Sequence, residues 1–195
     1  GSAGFDLYNY SEGKQRFVGA FIPQRANTPE YELTLKLATS EMRDFVLDMP
    51  LFSSLSSLEI GLQKGSALNC GSEYKHKKPI VFYGSSITHG ACASRPGLCY
   101  EAIISRRLDT DFVNLGFSGG AKGEDTVMTY IAGLDMSMFV YDYDYNAPSA
   151  EHLMATHYKG YRKVRDSHPD IPIIMASSPN FSNPARDGKA RRDVI

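Results

Sequence analysis

A serine stands where a short apolar run gives way to a glycine turn. The run 79–83 (Pro-Ile-Val-Phe-Tyr) is followed at once by Gly84, Ser85 and Ser86. This pattern predicts a buried strand that delivers a serine to a tight strand-to-helix turn. Open α/β folds bind their ligands at that edge of the sheet, so a serine there is a candidate nucleophile for acyl transfer. On these residues alone, Ser85 and Ser86 are both candidates.

Two more polar loops follow predicted strands, over 114–120 and 142–148. Because parallel strands end at one rim of the sheet, we expect all three loops to border one pocket. Acyl transfer creates an oxyanion, and each well-placed N–H donor lowers its barrier by about 3–4 kcal/mol. We predict three such donors: the backbone N–H groups of Ser86 and Gly119, and the side-chain amide of Asn146.

Alternating strands and helices position these loops. We predict strands over 79–83, 112–115, 138–143 and 171–176, and helices over 97–108, 124–134 and 149–168. Strands separated by helices indicate βαβ units and a parallel sheet, so this part of the chain is predicted to be α/β.

The first part of the chain has the pattern of antiparallel β-structure. Apolar and alternating runs separated by turn residues predict strands over 16–22, 31–37, 43–49 and 57–62. We therefore expect a partial β-sandwich over residues 1–72 and an α/β domain over 73–195, joined by a linker near 69–77.

The bulk composition excludes several classes of function. The 195 residues are 42% hydrophobic with a net charge of -1, which fits a soluble globular protein and favours no nucleic-acid partner. No apolar run approaches the about 20 residues of a membrane helix. No signal peptide is visible, but Gly1-Ser2 resembles a cloning scar. Localisation is thus open, with an extracytoplasmic site favoured.

The sequence has no pattern for a metal or an organic cofactor. His152 and His157 are five residues apart on one predicted helix, so they do not share a face. The glycine-rich segment 116–123 lacks the spacing of dinucleotide and Walker loops. We predict no metal and no cofactor. Cys92 and Cys99 flank a short loop and could pair when oxidised, which spacing alone leaves open.

The residues around the three loops resemble the SGNH, or GDSL-type, hydrolases. That family carries a Ser, a Gly, an Asn and a His in separate blocks. The segment 84–87 (Gly-Ser-Ser-Ile) resembles its Gly-Asp-Ser-Leu, which implies Ser86 as the nucleophile. The residues around Gly119 and Asn146 resemble the second and third blocks, which implies that both serve the oxyanion hole.

One subgroup of the family is closer still. In it, a β-sandwich with a Gly-x-Asp-Leu-Tyr motif precedes the hydrolase domain, and residues 4–8 fit that motif. The resemblance implies a three-layer α/β/α, flavodoxin-like domain after a partial sandwich, and hydrolysis of small acyl esters of carbohydrate. Two alternatives are an acyltransferase that uses the same serine, and a non-catalytic glycan-binding protein.

The Asp-x-x-His block that the resemblance implies is not in this sequence. None of the five histidines follows an aspartate at that spacing, and Ala190 occupies the position of the His after Asp187. We therefore expect a fragment that lacks both ends, with the Asp-x-x-His block beyond residue 195 or on a companion chain. The partners that stay open are a companion chain and a homo-oligomer. His89 lies three residues after Ser86, but we expect it to be a solvent-facing turn residue rather than the base.

Overall fold

The computed structural model describes residues 4–25, 28–177 and 187–195. Its first unit is a three-stranded antiparallel sheet in the order β2-β1-β3. The strands are β1 (Phe5–Ser11), β2 (Lys14–Phe21) and β3 (Asp44–Asp48). Glu12 and Gly13 join β1 to β2 with φ angles of 53° and 73°. Two positive φ angles in a two-residue loop are typical of the type I′ turn, which matches the twist of a hairpin.

The second unit is a four-stranded parallel sheet in the order β5-β4-β6-β7. Its strands are β4 (His76–Gly84), β5 (Thr110–Gly116), β6 (Met138–Asp142) and β7 (Ile173–Met175). The helices are α1 (Ser86–His89), α2 (Tyr100–Leu108), α3 (Asp125–Ala132), α4 (Ala150–Ser167) and α5 (Gly188–Val194), with a short 3₁₀ turn at Pro96–Leu98. The predicted parallel sheet is confirmed, and β4 lies inside it between β5 and β6.

The core lies on both faces of this sheet, because the apolar run of β4 alternates between them. Val81 and Tyr83 pack with residues of α3 and α4 on one face. Ile80 and Phe82 pack with Tyr100 and other residues of α2 and β5 on the opposite face. Parallel strands covered on both sides need such continuous apolar runs. The three-layer α/β/α prediction is confirmed.

Two predicted strands of the N-terminal unit are wrong. Residues 31–37 and 57–62 form neither strand nor helix. Their alternating apolar side chains are largely exposed, and Ile60 reaches 70%. Alternation favours a strand only where a neighbouring strand and a packed face stabilise it. The domain boundary at 72/73 stays a prediction.

The motif at residues 4–8 contacts the loop that precedes α2. Asp6 is fully buried, accepts the N–H of Gly97 at 3.1 Å and pairs with Arg95 at 3.3 Å. The guanidinium of Arg106 lies 4.4 Å from the centre of the Tyr8 ring. These contacts hold the α1–α2 loop and α2 itself against the antiparallel sheet.

No disulfide supports this loop. The thiols of Cys92 and Cys99 are free, with Cys92 exposed and Cys99 buried at the start of α2. The contacts of this loop with β1 are the hydrogen bond and the ion pair made by Asp6.

Among the residues that the structure describes, no helix combines the length and the apolar character needed to cross a membrane.

Candidate active site

The two serines after β4 have different environments. Ser85 is fully buried, and its hydroxyl accepts the N–H of Ile87 at 3.2 Å. It is therefore the N-cap of α1, a position that favours serine. Ser86 is the first residue of α1 and is only half-buried. The structure thus leaves Ser86 as the accessible hydroxyl of the pair.

Two glycines let α1 lie directly on the ends of the strands. A Cβ at Gly84 would collide with the Thr88 hydroxyl and the backbone of Asp142. A Cβ at Gly116 would collide with the backbone of Thr88 and His89. Any larger residue at either glycine would push the turn that carries Ser86 away from the sheet.

The loop after β5 lies beside this turn. The N–H of Phe117 donates to the carbonyl of Gly84 at 2.9 Å, and the carbonyl of Phe117 accepts Gly120 N–H at 2.9 Å. Gly119 is exposed with a φ of +72°, and an added Cβ there would meet nothing within 4 Å. Glycine is therefore favoured at 119 by its backbone conformation and not by crowding.

The loop after β6 contacts the other two. The side-chain amide of Asn146 donates to the carbonyl of Phe117 at 2.8 Å. The carbonyl of Asp142 accepts the N–H of Ser85 at 3.2 Å. The three predicted loops therefore do meet at one rim, because β5 and β6 both pair with β4 in parallel register.

The segment 187–195 contains Ala190 at the position where the family resemblance implies the catalytic His. In the structure this segment contacts the loop after β6. Asp187 precedes α5, and the buried side chain of Arg191 donates to the carbonyl of Asp144 at 2.6 Å. The segment thus contributes a structural contact two residues away from Asn146.

Three histidines have a ring nitrogen within hydrogen-bond distance of a backbone carbonyl and not of Ser86: His89, His152 and His168. His89 stacks on Phe52 with ring centres 3.8 Å apart, and its Nε2 lies 2.6 Å from the carbonyl of Leu51. The prediction of a solvent-facing His89 is therefore wrong. His152 Nε2 lies 2.8 Å from the carbonyl of Lys122. No described histidine forms a hydrogen bond with Ser86.

Two carboxyls near the rim have raised pKa values: Asp142, which is half-buried and bonded to Thr88 of α1, and Glu101, which is fully buried in α2. The sequence pattern offers Asp142 and Asp144 as alternating carboxylates at a strand end, better explained as caps of the third loop, and gives no signal for Glu101. Burial raises the pKa of Asp142 to about 7, the charge of Asp144 adds to this rise, and the Thr88 hydroxyl opposes it. Burial likewise raises the pKa of Glu101 to about 7. Both carboxyls therefore change charge near neutral pH.

Two family models match the chain. The GDSL-like lipase/acylhydrolase family matches residues 77–194. The model for the N-terminus of SGNH-hydrolase-type esterases, named for the GxDLY motif, matches residues 1–68. No curated protein gives a significant match.

Several solved structures are similar to this chain. A protein from Bacteroides ovatus that bears the name GDSL-like lipase is 36% identical, with a TM-score of 0.85 over 100% of this chain. A salicylyl-acyltransferase from a tetracycline biosynthetic pathway is 19% identical, with a TM-score of 0.63 over 98% of this chain. A two-domain esterase active on acetylated mannans is 23% identical, with a TM-score of 0.49 over 60% of this chain and 34% of its own. The chain spans 58% of the length of the first and 56% of the second.

Proposed function

This chain belongs to the GDSL-like lipase/acylhydrolase family, and from that membership we propose that it hydrolyses carboxylic esters with Ser86 as the nucleophile. The observation that carries the proposal is the junction of three loops at the rim. Ser85 is used as a cap, Ser86 stays accessible beside it, and Asn146 bonds to the loop that holds Gly119.

In the proposed mechanism the Ser86 hydroxyl attacks the acyl carbonyl and gives its proton to a general base. The negative charge that forms on the carbonyl oxygen is stabilised by the N–H groups of Ser86 and Gly119 and by the Asn146 amide. The N–H of Ser86 suits this role because the first N–H groups of a helix have no partner within it. The tetrahedral intermediate breaks its bond to the alcohol oxygen, which takes the proton from the base, and an acyl ester of Ser86 remains. Water gives a proton to the same base and attacks this ester, and the carboxylic acid leaves as the Ser86 oxygen recovers the proton.

We propose that the general base is a histidine outside this sequence, supplied by another part of the protein or by a companion chain. The support is the engagement of His89 and His152 with backbone carbonyls. A base must lie within about 3.2 Å of the hydroxyl that it deprotonates.

The proposed substrate is a small acyl group carried by a carbohydrate. The N-terminal segment matches the subgroup whose β-sandwich resembles carbohydrate-binding modules. The proposed substrate class rests on that analogy of fold. The rim has three exposed small residues, which leave room for a bulky alcohol to approach: Ser118, Gly119 and Gly120. An acyltransferase would use the same serine, so product analysis with a competing alcohol separates the two.

The test is hydrolysis of p-nitrophenyl acetate by the intact protein. We expect Ser86→Ala to lower kcat by about 10³-fold or more, because the nucleophile is lost. Ser85→Ala is the matched control: it removes the cap, costs about 1 kcal/mol of stability and leaves the nucleophile in place. Full turnover by Ser86→Ala contradicts the nucleophile, and an inactive wild-type protein favours the glycan-binding alternative.

A further inference from the structure

The helix that carries Ser86 is too short to hold its own position. α1 has four residues, Ser86–His89, which make a single turn. Isolated helices shorter than about 12 residues are only marginally stable in water. The location of the Ser86 hydroxyl must therefore be set by contacts between α1 and the rest of the fold.

Those contacts converge on Thr88, which is fully buried. Its hydroxyl lies 3.3 Å from a carboxyl oxygen of Asp142 at the end of β6. It also lies 3.2 Å from the hydroxyl of Tyr100 at the start of α2. Its backbone carbonyl accepts the side-chain amide of Asn114, in β5, at 2.7 Å. One residue of α1 is thus bonded to two strands and a second helix.

The chemistry of the groups gives these bonds a direction. A threonine hydroxyl has one proton to donate, and the Thr88 hydroxyl donates it to a carboxyl oxygen of Asp142. The Thr88 oxygen then meets the Tyr100 hydroxyl as an acceptor, so Tyr100 is the donor of that bond. Such a chain of hydrogen bonds in a buried site fixes the rotamer of its middle member.

A further strand, β4, contacts Thr88 by packing. The absence of a side chain at Gly84, in β4, leaves the space that the Thr88 hydroxyl occupies, and Gly116 does the same for the Thr88 backbone. Thr88 therefore contacts β4, β5 and β6 at once, two residues after Ser86.

We infer that Thr88 is a positioning residue that holds the Ser86 hydroxyl in place relative to the oxyanion donors at the rim. The inference rests on the proposed role of Ser86 as the nucleophile. A displacement of about 1 Å in a reacting group can cost about 10²-fold in rate. The loss should appear in kcat and not in KM, because Thr88 is buried beneath the site.

The experiment compares three variants of the intact protein on p-nitrophenyl acetate. Thr88→Val keeps the shape and removes the hydroxyl, so we expect kcat to fall about tenfold or more with KM within about twofold. Thr88→Ser restores the hydroxyl and should recover at least about half of the wild-type kcat.

Thr156→Val is the matched control. The Thr156 hydroxyl, on α4, lies 2.7 Å from that of Tyr143 and 2.8 Å from the carbonyl of His152. Its loss should lower the midpoint of thermal unfolding about as much as Thr88→Val does, with kcat within about twofold of wild type. If Thr88→Val does not fold, Tyr100→Phe removes one partner of the same hydroxyl, and we expect kcat about threefold lower with unchanged KM.

The outcomes separate this inference from the proposed function. If Ser86→Ala is inactive but Thr88→Val keeps the wild-type kcat, the positioning role of Thr88 is overturned and the proposed function stands. An equal loss of kcat in Thr88→Ser and Thr88→Val would also overturn it, since the hydroxyl would then not be the group responsible. Wild-type turnover by Ser86→Ala would overturn the proposed function and this inference with it.

Discussion

The side-chain amide of Asn146 donates a hydrogen bond to the backbone carbonyl of Phe117 over 2.8 Å. The bond joins the loop after β6 to the loop after β5, on the two sides of β4. A primary amide carries two N–H donors, so one can hold the loops together while the other serves an oxyanion. A single side chain can therefore have a structural and a chemical role.

Asn146→Ala is expected to lower kcat by about 10²–10³-fold with little change in KM, because an oxyanion donor is lost. The measurement is steady-state hydrolysis of p-nitrophenyl acetate by the intact protein. Asn69→Ala, the same change at an exposed position, serves as the control. A kcat within about twofold of wild type would exclude Asn146 from the oxyanion hole.

Asp6→Asn is expected to destabilise the fold by about 2 kcal/mol, because it breaks a largely buried pair with Arg95. The cost is less than for a fully buried pair, since the Arg95 side chain is 24% exposed and water screens its charge. Denaturant unfolding measures the change. Asp166→Asn breaks an exposed pair with Arg162 and should cost less than about 0.5 kcal/mol. Equal effects at the two sites would contradict this prediction.

Glu101→Gln is expected to stabilise the protein above about pH 7. Burial raises the pKa of Glu101 from 4.5 to about 7, so the folded state holds a proton that the unfolded state releases. The wild-type protein therefore loses stability relative to the variant as pH rises from about 4.5 to about 7, by about 3 kcal/mol in total. Unfolding at several pH values gives the difference. The exposed Glu151→Gln should show no such rise, and a pH-independent difference at Glu101 would refute the expectation.

His157 has the opposite effect on pH dependence. It is buried with its ring stacked on Tyr141 at 4.5 Å, and burial lowers its pKa from 6.5 to about 4. Below about pH 6.5 the unfolded state gains a proton that the folded state does not, so stability falls by about 3 kcal/mol as pH drops towards about 4.

The variant His157→Phe keeps a ring in the stack and cannot titrate. The stability of the wild-type protein relative to this variant should therefore decrease as the pH is lowered through that window. Because all other groups are common to both proteins, the comparison isolates His157. If the difference in unfolding free energy between the two proteins is constant from pH 7 to pH 4, burial does not lower the pKa of His157.

Local pattern predicted the elements that carry the candidate site. The apolar run before Gly84 became β4, and Ser149 caps α4 as its position suggests, with its hydroxyl accepting the N–H of His152 at 3.2 Å. These features depend on neighbours in sequence, which propensity and capping chemistry describe well.

Features that depend on distant contacts could not be predicted in this way. The amphipathic pattern of α2 gives no reason to bury Glu101, and the pattern of α4 gives none to bury His157. Thr88 meets partners 26 and 54 residues away in sequence. The strand predicted over 57–62 failed for the same reason, since its alternating side chains find no packed surface in the structure.

The strand order has a consequence for how the site would open. β4 and β6 are hydrogen-bonded on both sides, whereas β5 is an edge strand that, within residues 4–25, 28–177 and 187–195, pairs only with β4. Backbone amides at sheet edges exchange with solvent through local openings of lower free energy than interior strands require. Fraying of β5 would therefore release Gly119 first, while Ser86 and Asn146, carried by interior strands, stay in register.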